Sequence, residues 1–376
     1  MTRENLPAAS TETSDSPSAS TSKSGVQRRS FLKGIGVAGA ALSAGSLLAT
    51  VGEAEAHAQS PKNLTSGDAA ILRFLAAAEL LETDLWQQYA ELGGVTAGKQ
   101  NPYQKALQKL DGDGSQYITS NTLDELSHAQ FLNAYLLSKG AEPVDLDAFR
   151  TLPSSEAAGA QNIGRLTNLM NLTVDTSWYT RYRSTDNPDL GGTFPQAIDL
   201  VNVPGIPRTN DDFAPAAHVQ AIANTAAFHF AMIEQGGSTL YSAMAQKASN
   251  LEVLRVVVSI GGDEVAHFLE WVDFAGNGVQ APIAPLTDPT NGLTFPDFNA
   301  TGNPLLQTNL IFPVPCEFIN ANLPRCAVIR PTNPKGIAMG VVNFLTGTGL
   351  FTGQTPEFFK ALTALAKQAD AAQRGF

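Results

Sequence analysis

Apolar positions recur at alternating spacings of four and three along four stretches of the chain, a rhythm that predicts four one-sided helices. The first, about 67–92, sets Ile71, Leu75, Ala78, Glu82, Leu85 and Tyr89 on one stripe. The second, about 120–138, does the same with Glu125, His128, Leu132 and Tyr135. The third, about 215–247, aligns Ala227, Phe230, Glu234, Gly237, Tyr241 and Met244. The fourth, about 251–275, aligns Val253, Val257, Ile260, Glu264, His267, Trp271 and Phe274. Stripes of this kind bury themselves against one another, so the fold expected is an all-α four-helix bundle. All four stripes contain a carboxylate where packing alone asks for an apolar side chain. That is the anomaly to explain.

Between the second and third helices lies a long crossover insertion, about 140–214, with one expected helix at about 161–183. The bundle domain is read as 59–275, followed by a loop-rich extension over 276–376. Residues 276–335 are rich in Pro, Asn and Thr and read as irregular with a strand or two. A last helix, about 357–373, is signalled by Thr355 as N-cap and Pro356 at the first position, and is expected to pack outside the bundle. The 43% apolar and 16% charged content, with 32 Gly and 22 Pro, fits a globular chain with long loops. With 24 Lys and Arg against 35 Asp and Glu the net charge is −11, which argues against nucleic acid as a partner.

Residues 1–58 read as an address rather than a fold. A Ser/Thr-rich segment precedes Arg28-Arg29-Ser30-Phe31-Leu32-Lys33, a charge-free Gly/Ala/Leu stretch runs from Gly34 to Val51, and Ala56-His57-Ala58 is a small-x-small cleavage site. A twin arginine before a mildly apolar segment is the bacterial signal for export of folded proteins. The expected location is therefore periplasmic or secreted, with no stable membrane span once the signal is removed. Export after folding suits a protein that takes its metal or cofactor in the cytoplasm.

The chemistry is carried by a repeated pattern. Asp124-Glu125-Leu126-Ser127-His128 and Asp263-Glu264-Val265-Ala266-His267 both read Asp-Glu-x-x-His. Glu and His three apart point the same way from a helix, close enough to share one ion. Two of the four histidines beyond the leader meeting this condition on bundle seams is a coincidence of roughly one per cent. The other two helices offer Glu82 and Glu234, each followed seven residues later by Tyr, at Tyr89 and Tyr241, so the halves of the bundle look duplicated. One Glu from each of two helices plus Glu-x-x-His from the other two is the ligand pattern of di-iron and di-manganese carboxylate bundles. Four carboxylates carry −4, which two divalent cations neutralise, whereas a metal-free core of such groups would suffer repulsion and lost hydration. Carboxylate and imidazole donors without thiolate suit iron or manganese, and zinc also fits such sites.

On these residues, with Ala78-Glu79-Leu80-Leu81-Glu82 and Glu234, the chain resembles the ferritin-like superfamily over about 64–275. More narrowly, it is similar to the exported ferritin-like domain proteins related to desiccation- and stress-associated proteins. The resemblance implies a four-helix bundle with a di-metal centre. It also implies that Glu125 and Glu264 bridge the ions, while Glu82, Glu234, His128 and His267 bind terminally. Three functions follow as expectations: ferroxidase- or catalase-like redox handling of oxygen or peroxide in stress protection, periplasmic sequestration of iron or manganese, or a structural stress protein whose metals only hold the bundle together.

Weaker signals complete the reading. Glu79 is the alternative to Glu82, one turn earlier on nearly the same face. Asp124 and Asp263 stand four residues before a histidine and can hold its other ring nitrogen. Tyr89 and Tyr241 are candidates for hydrogen bonds to the site, against ordinary core packing. Gly236 and Gly237 are costly inside a helix unless they make room beside the metals or a channel. His218 and His229 lie off the seam and read as structural or surface residues. Asp111-Gly112-Asp113-Gly114-Ser115 lacks the sixth-position Gly and twelfth-position Glu of a calcium loop and reads as a turn. Cys316 and Cys326 flank a nine-residue loop and are expected to form a disulfide in an oxidising compartment.

Overall fold

The computed structural model describes residues 64–98, 101–181, 195–300, 313–316, 319–328 and 334–374. The leader read over 1–58 lies outside them. Four long helices form the bundle: α1 (Ser66–Gly93), α3 (Gly114–Ser138), α5 (Ala216–Ala245) and α6 (Leu251–Gly278), with a short α2 (Pro102–Leu110) before α3. α1 pairs with α3 and α5 with α6, so the bundle is two hairpins joined by the crossover. Local chemistry fixes several helix starts. Thr65 accepts from the Asp68 amide at α1, Asn101 from the Tyr103 amide at α2 and Asn250 from the Glu252 amide at α6, each satisfying an otherwise orphaned N–H. Asp111 accepts from the Asp113 amide in the turn into α3, as the turn reading of that loop expects.

The crossover differs from expectation. No helix spans 161–183; the chain there is largely irregular, with β1 (Leu172–Val174) paired antiparallel to β2 (Leu200–Val203) and a short α4 (Ser177–Arg181). Asp84 of α1 explains much of this. Its buried carboxylate accepts from the Leu166 and Thr167 amides and the Thr167 hydroxyl, and pairs with Arg150 at 2.7 Å. Amides held by a carboxylate cannot donate along a helix interior, so no helix runs through Leu166 and Thr167.

The extension carries two further two-stranded hairpins, β3 (Leu286–Thr287) with β4 (Thr294–Phe295) and β5 (Pro313–Val314) with β6 (Cys326–Ala327). It closes with α7 (Ile337–Gly347), which the sequence pattern did not reveal, and α8 (Pro356–Ala371), capped by Thr355 as expected. The Asp370 carboxylate accepts from the Ala338 and Met339 amides, pinning the start of α7 to α8. Lys247, just past α5, donates to the Ala369 and Asp370 carbonyls at the end of α8. α8 also packs on α1, which is why α1 is buried on two sides rather than along one stripe. No described helix is long and apolar enough to cross a membrane.

Candidate metal centre

Midway along the bundle, carboxylates from all four long helices meet two histidines. Glu79, Glu125, His128 and Glu264 form one group, and Glu125, Glu234, Glu264 and His267 another; within each group every residue offers a ligand atom within 4.8 Å of the others. Glu125 and Glu264 belong to both. Glu125 reaches His267 Nδ1 with one oxygen (3.0 Å) and His128 Nδ1 with the other (3.2 Å). Glu79 lies 3.4 Å from His128 Nδ1, and Glu234 lies 3.3 Å from His267 Nδ1. All four of these glutamates are fully buried.

The α1 carboxylate inside the groups is thus Glu79, while Glu82 stands one turn on, half-buried and outside both. The seven-residue duplication is real in geometry but starts at Glu79. Trp86, seven residues after Glu79, donates to Glu234 at 2.9 Å; Tyr241, seven residues after Glu234, donates to Glu79. The matching pairs are Glu79 with Trp86 and Glu234 with Tyr241, not Glu82 with Tyr89. The Tyr89 hydroxyl instead pairs with His229 Nδ1 at 2.8 Å, and its ring packs edge-on against Phe230.

The histidines are aimed by the opposite hairpin. His128 Nε2 meets Asp263 at 3.2 Å, and His267 Nε2 meets Asp124 at 3.4 Å, leaving both Nδ1 atoms turned to the glutamates. The expectation that these aspartates hold the second ring nitrogen fits this geometry, with the partner taken across the bundle. The same-helix approach of Asp263 to His267 is longer, at 3.8 Å. A carboxylate behind a metal-binding imidazole fixes its tautomer and raises its basicity.

Burial and mutual repulsion set the electrostatics. Burial, then Glu234, push Glu125 up to about 8. Burial and the neighbouring Glu125 raise Glu264 and Glu82 well above the usual carboxylate range. Burial opposes charge on His128, yet Asp263, Glu125 and Glu79 outweigh it and raise the imidazole to about 12. His267 is raised likewise, burial being overcome by Glu234, Asp124 and Glu125. Such a field calls for cations. Four carboxylate oxygens, one each of Glu79 and Glu234 and both of Glu264, are buried without a hydrogen-bond partner. Buried acceptors are seldom left so, and two divalent ions would satisfy all of them. Gly237 adds a steric sign, because a Cβ there would stand 2.1 Å from a Glu264 oxygen. The donor set therefore fits a metal pair.

A family model described as "Ferritin-like domain" matches residues 67–271, more than half of the chain. The chain belongs to the ferritin-like domain family. No curated protein and no solved structure was found to match it. The ferritin-like match covers α1 through most of α6, the stretch that supplies every carboxylate and histidine of the centre, and leaves α7 and α8 outside.

Three residues of the ferritin-like site escaped sequence reasoning. Asn121 donates to Glu125 (2.7 Å) and Glu234 (3.1 Å) and accepts from the Trp271 indole (2.7 Å). Trp86 and Trp271 stack with ring centres 5.2 Å apart, both fully buried. The available signal was Asn121 four residues before Glu125, one helical turn away on the same face. Both off-seam histidines are buried and structural. His218 links Asp288 (2.8 Å) and Asp212 (3.1 Å), and burial holds His229 neutral by lowering it to about 3. Cys316 and Cys326 are not joined in a disulfide. Val314, not Cys316, lies opposite Cys326 in the β5–β6 register, so the two thiols are offset along the hairpin.

Proposed function

We propose that this ferritin-like protein is an exported di-metal carboxylate protein that performs redox chemistry on dioxygen or peroxide in stress protection. The observation that carries the reading is the set of buried glutamate oxygens without hydrogen bonds, gathered between two oppositely braced histidines. Glu79 and His128 would hold one ion, Glu234 and His267 the other, with Glu125 and Glu264 common to both and Glu82 beside them. A bound pair of iron or manganese ions supplies redox equivalents and a place for a small oxidant. The protein's part is to hold the Nε2 side of each imidazole, through Asp263 and Asp124, so that Nδ1 faces the glutamates, and to keep the centre buried beside Trp86 and Trp271. The twin-arginine leader supports export in the folded, loaded state.

The test is metal analysis of protein from its native compartment, followed by mixing the iron-loaded protein with oxygen or peroxide. Two ions per chain and catalytic oxidation that disappears in His128→Ala support the reading. Stoichiometric uptake without turnover would make the protein a sequestering one, and an inert centre whose removal only lowers the melting temperature would make it a scaffold.

A further inference from the structure

Two approaches to the centre differ in chemistry. Between α3 and α6 an open groove of about 710 Å³ reaches His128 and Asp263 and is lined also by Arg255, Glu252 and Ser259. Charged groups make it a path for ions and hydrogen-bonding molecules. On the far side, α1, α5 and α7 enclose a second space of a different kind. It is walled by apolar side chains such as Leu85, Ile233, Val341 and Leu345, with Glu82 the one polar residue among the described residues that line it. It holds about 40 Å³ of room for water centres. That is space for roughly three water-sized molecules, far short of the hundreds of Å³ that an organic ligand occupies.

Two features make this more than a packing flaw. Gly237 is explained by Glu264, but Gly236 is not: a Cβ there would touch nothing within 4 Å. A glycine inside a helix is unfavourable, and this one borders the cavity, where a larger side chain would fill the space. The lid is also specific, since α7 lies outside the ferritin-like match and its start is held by Asp370 of α8, whose carbonyl in turn accepts from Lys247. The cavity ends at Glu82 and Gly237, the first lying in the field of the glutamate cluster and the second facing Glu264.

We propose that the extension builds a dioxygen site: the cavity under α7 takes up a small apolar molecule and passes it to the Glu82 side of the centre. An apolar chamber favours dioxygen over peroxide, which would shed its hydrogen bonds to enter. The inference rests on the redox reading above and ranks dioxygen as the oxidant delivered by this route.

The test uses xenon as a dioxygen-sized apolar probe on the full chain, read by methyl NMR shifts at Val341 and Leu345. The same protein, loaded with Fe(II), is then oxidised by dioxygen or by peroxide. Expected are xenon-dependent shifts at both residues, lost in Gly236→Leu. Expected too is a roughly tenfold slower oxidation by dioxygen in that variant, with the peroxide rate unchanged. Ala78→Met, which fills the cavity from α1, should behave alike and guards against misfolding of the first variant. Absence of xenon shifts, or a dioxygen rate that survives filling, overturns the inference and leaves the redox reading standing. Xenon uptake by a protein that oxidises iron with neither oxidant refutes the redox reading and the delivery role with it.

Discussion

Gly237→Ala asks whether the glutamate cluster is built around metal. A Cβ at this position would lie 2.1 Å from a Glu264 oxygen, and ordinary contact begins at 3.4 Å, so the carboxylate must retreat by 1.3 Å (3.4 − 2.1). No hydrogen bond holds either Glu264 oxygen, so in the metal-free protein the retreat is cheap. Relief of the glycine's helix penalty, about 1 kcal/mol, largely offsets it, and the melting temperature should move by no more than about 2 °C. With metal the outcome reverses, because ligand positions tolerate only about 0.2 Å. Glu264 is then lost to at least one ion, and affinity should fall by about two orders of magnitude or more. Gly236→Ala is the control: it gains the same helix propensity and meets no atom within 4 Å. Chelator competition and thermal unfolding with and without manganese read both variants. If Gly237→Ala binds two ions as tightly as the parent, Glu264 is not a ligand and the assignment of the shared pair is wrong.

Other outcomes follow from the same geometry. Asp263→Asn removes the carboxylate behind His128 and should weaken metal binding about 10–100-fold, measured by chelator competition; unchanged affinity would mean that the crossed aspartates do not aim the rings. Tyr241→Phe deprives Glu79 of its donor and should cost about 1–3 kcal/mol in urea unfolding of the loaded protein, with no loss expected if the contact is incidental. Without metal, Glu125 titrates at about 8 instead of 4.5, so its contribution to stability is complete below about pH 4.5 and is lost as pH rises through 8. His128, raised from 6.5 to about 12, has the same sign above about pH 6.5. Melting temperature in the presence of chelator should therefore fall from about pH 5 to 8, whereas manganese-loaded protein should hold or gain as protons cease to compete. A metal-free protein that grew more stable over that interval would contradict the electrostatics described.

The four long helices were legible because apolar positions recur at helical spacing along each, although α1 and α5 are buried well beyond one stripe: α6, read as 251–275, runs Leu251–Gly278, and α5, read as 215–247, runs Ala216–Ala245. The Glu-x-x-His pairs were legible because their spacing is a property of the helix itself. Choosing Glu79 over Glu82 was not, because α1 is covered by α8 as well as by the bundle and so has no single apolar face from which to take a register. α7 was hidden by composition: Gly340, Val341 and Val342 weaken its local helix signal, and its stability comes from Asp370 and from packing on residues far away in sequence. The helix expected at 161–183 failed for the converse reason, since a single buried carboxylate, Asp84, claims the amides of Leu166 and Thr167. Tertiary partners of this kind leave no local trace.

The crossed bracing has a consequence for ancestry and for protein splitting. Each hairpin brings a Glu-x-x-His, yet the aspartate that aims its histidine and the aromatic donor that holds its end glutamate belong to the other hairpin. Half of the bundle alone would carry ligands with nothing to orient them, and could complete a centre only by docking onto a second copy of itself. The crossed contacts follow the pattern that two copies of one hairpin would make, with the crossover joining the halves. Two separately made fragments, α1–α3 and α5 to the C-terminus, would then find each other most readily in the presence of the ion, which acts as the clasp between them.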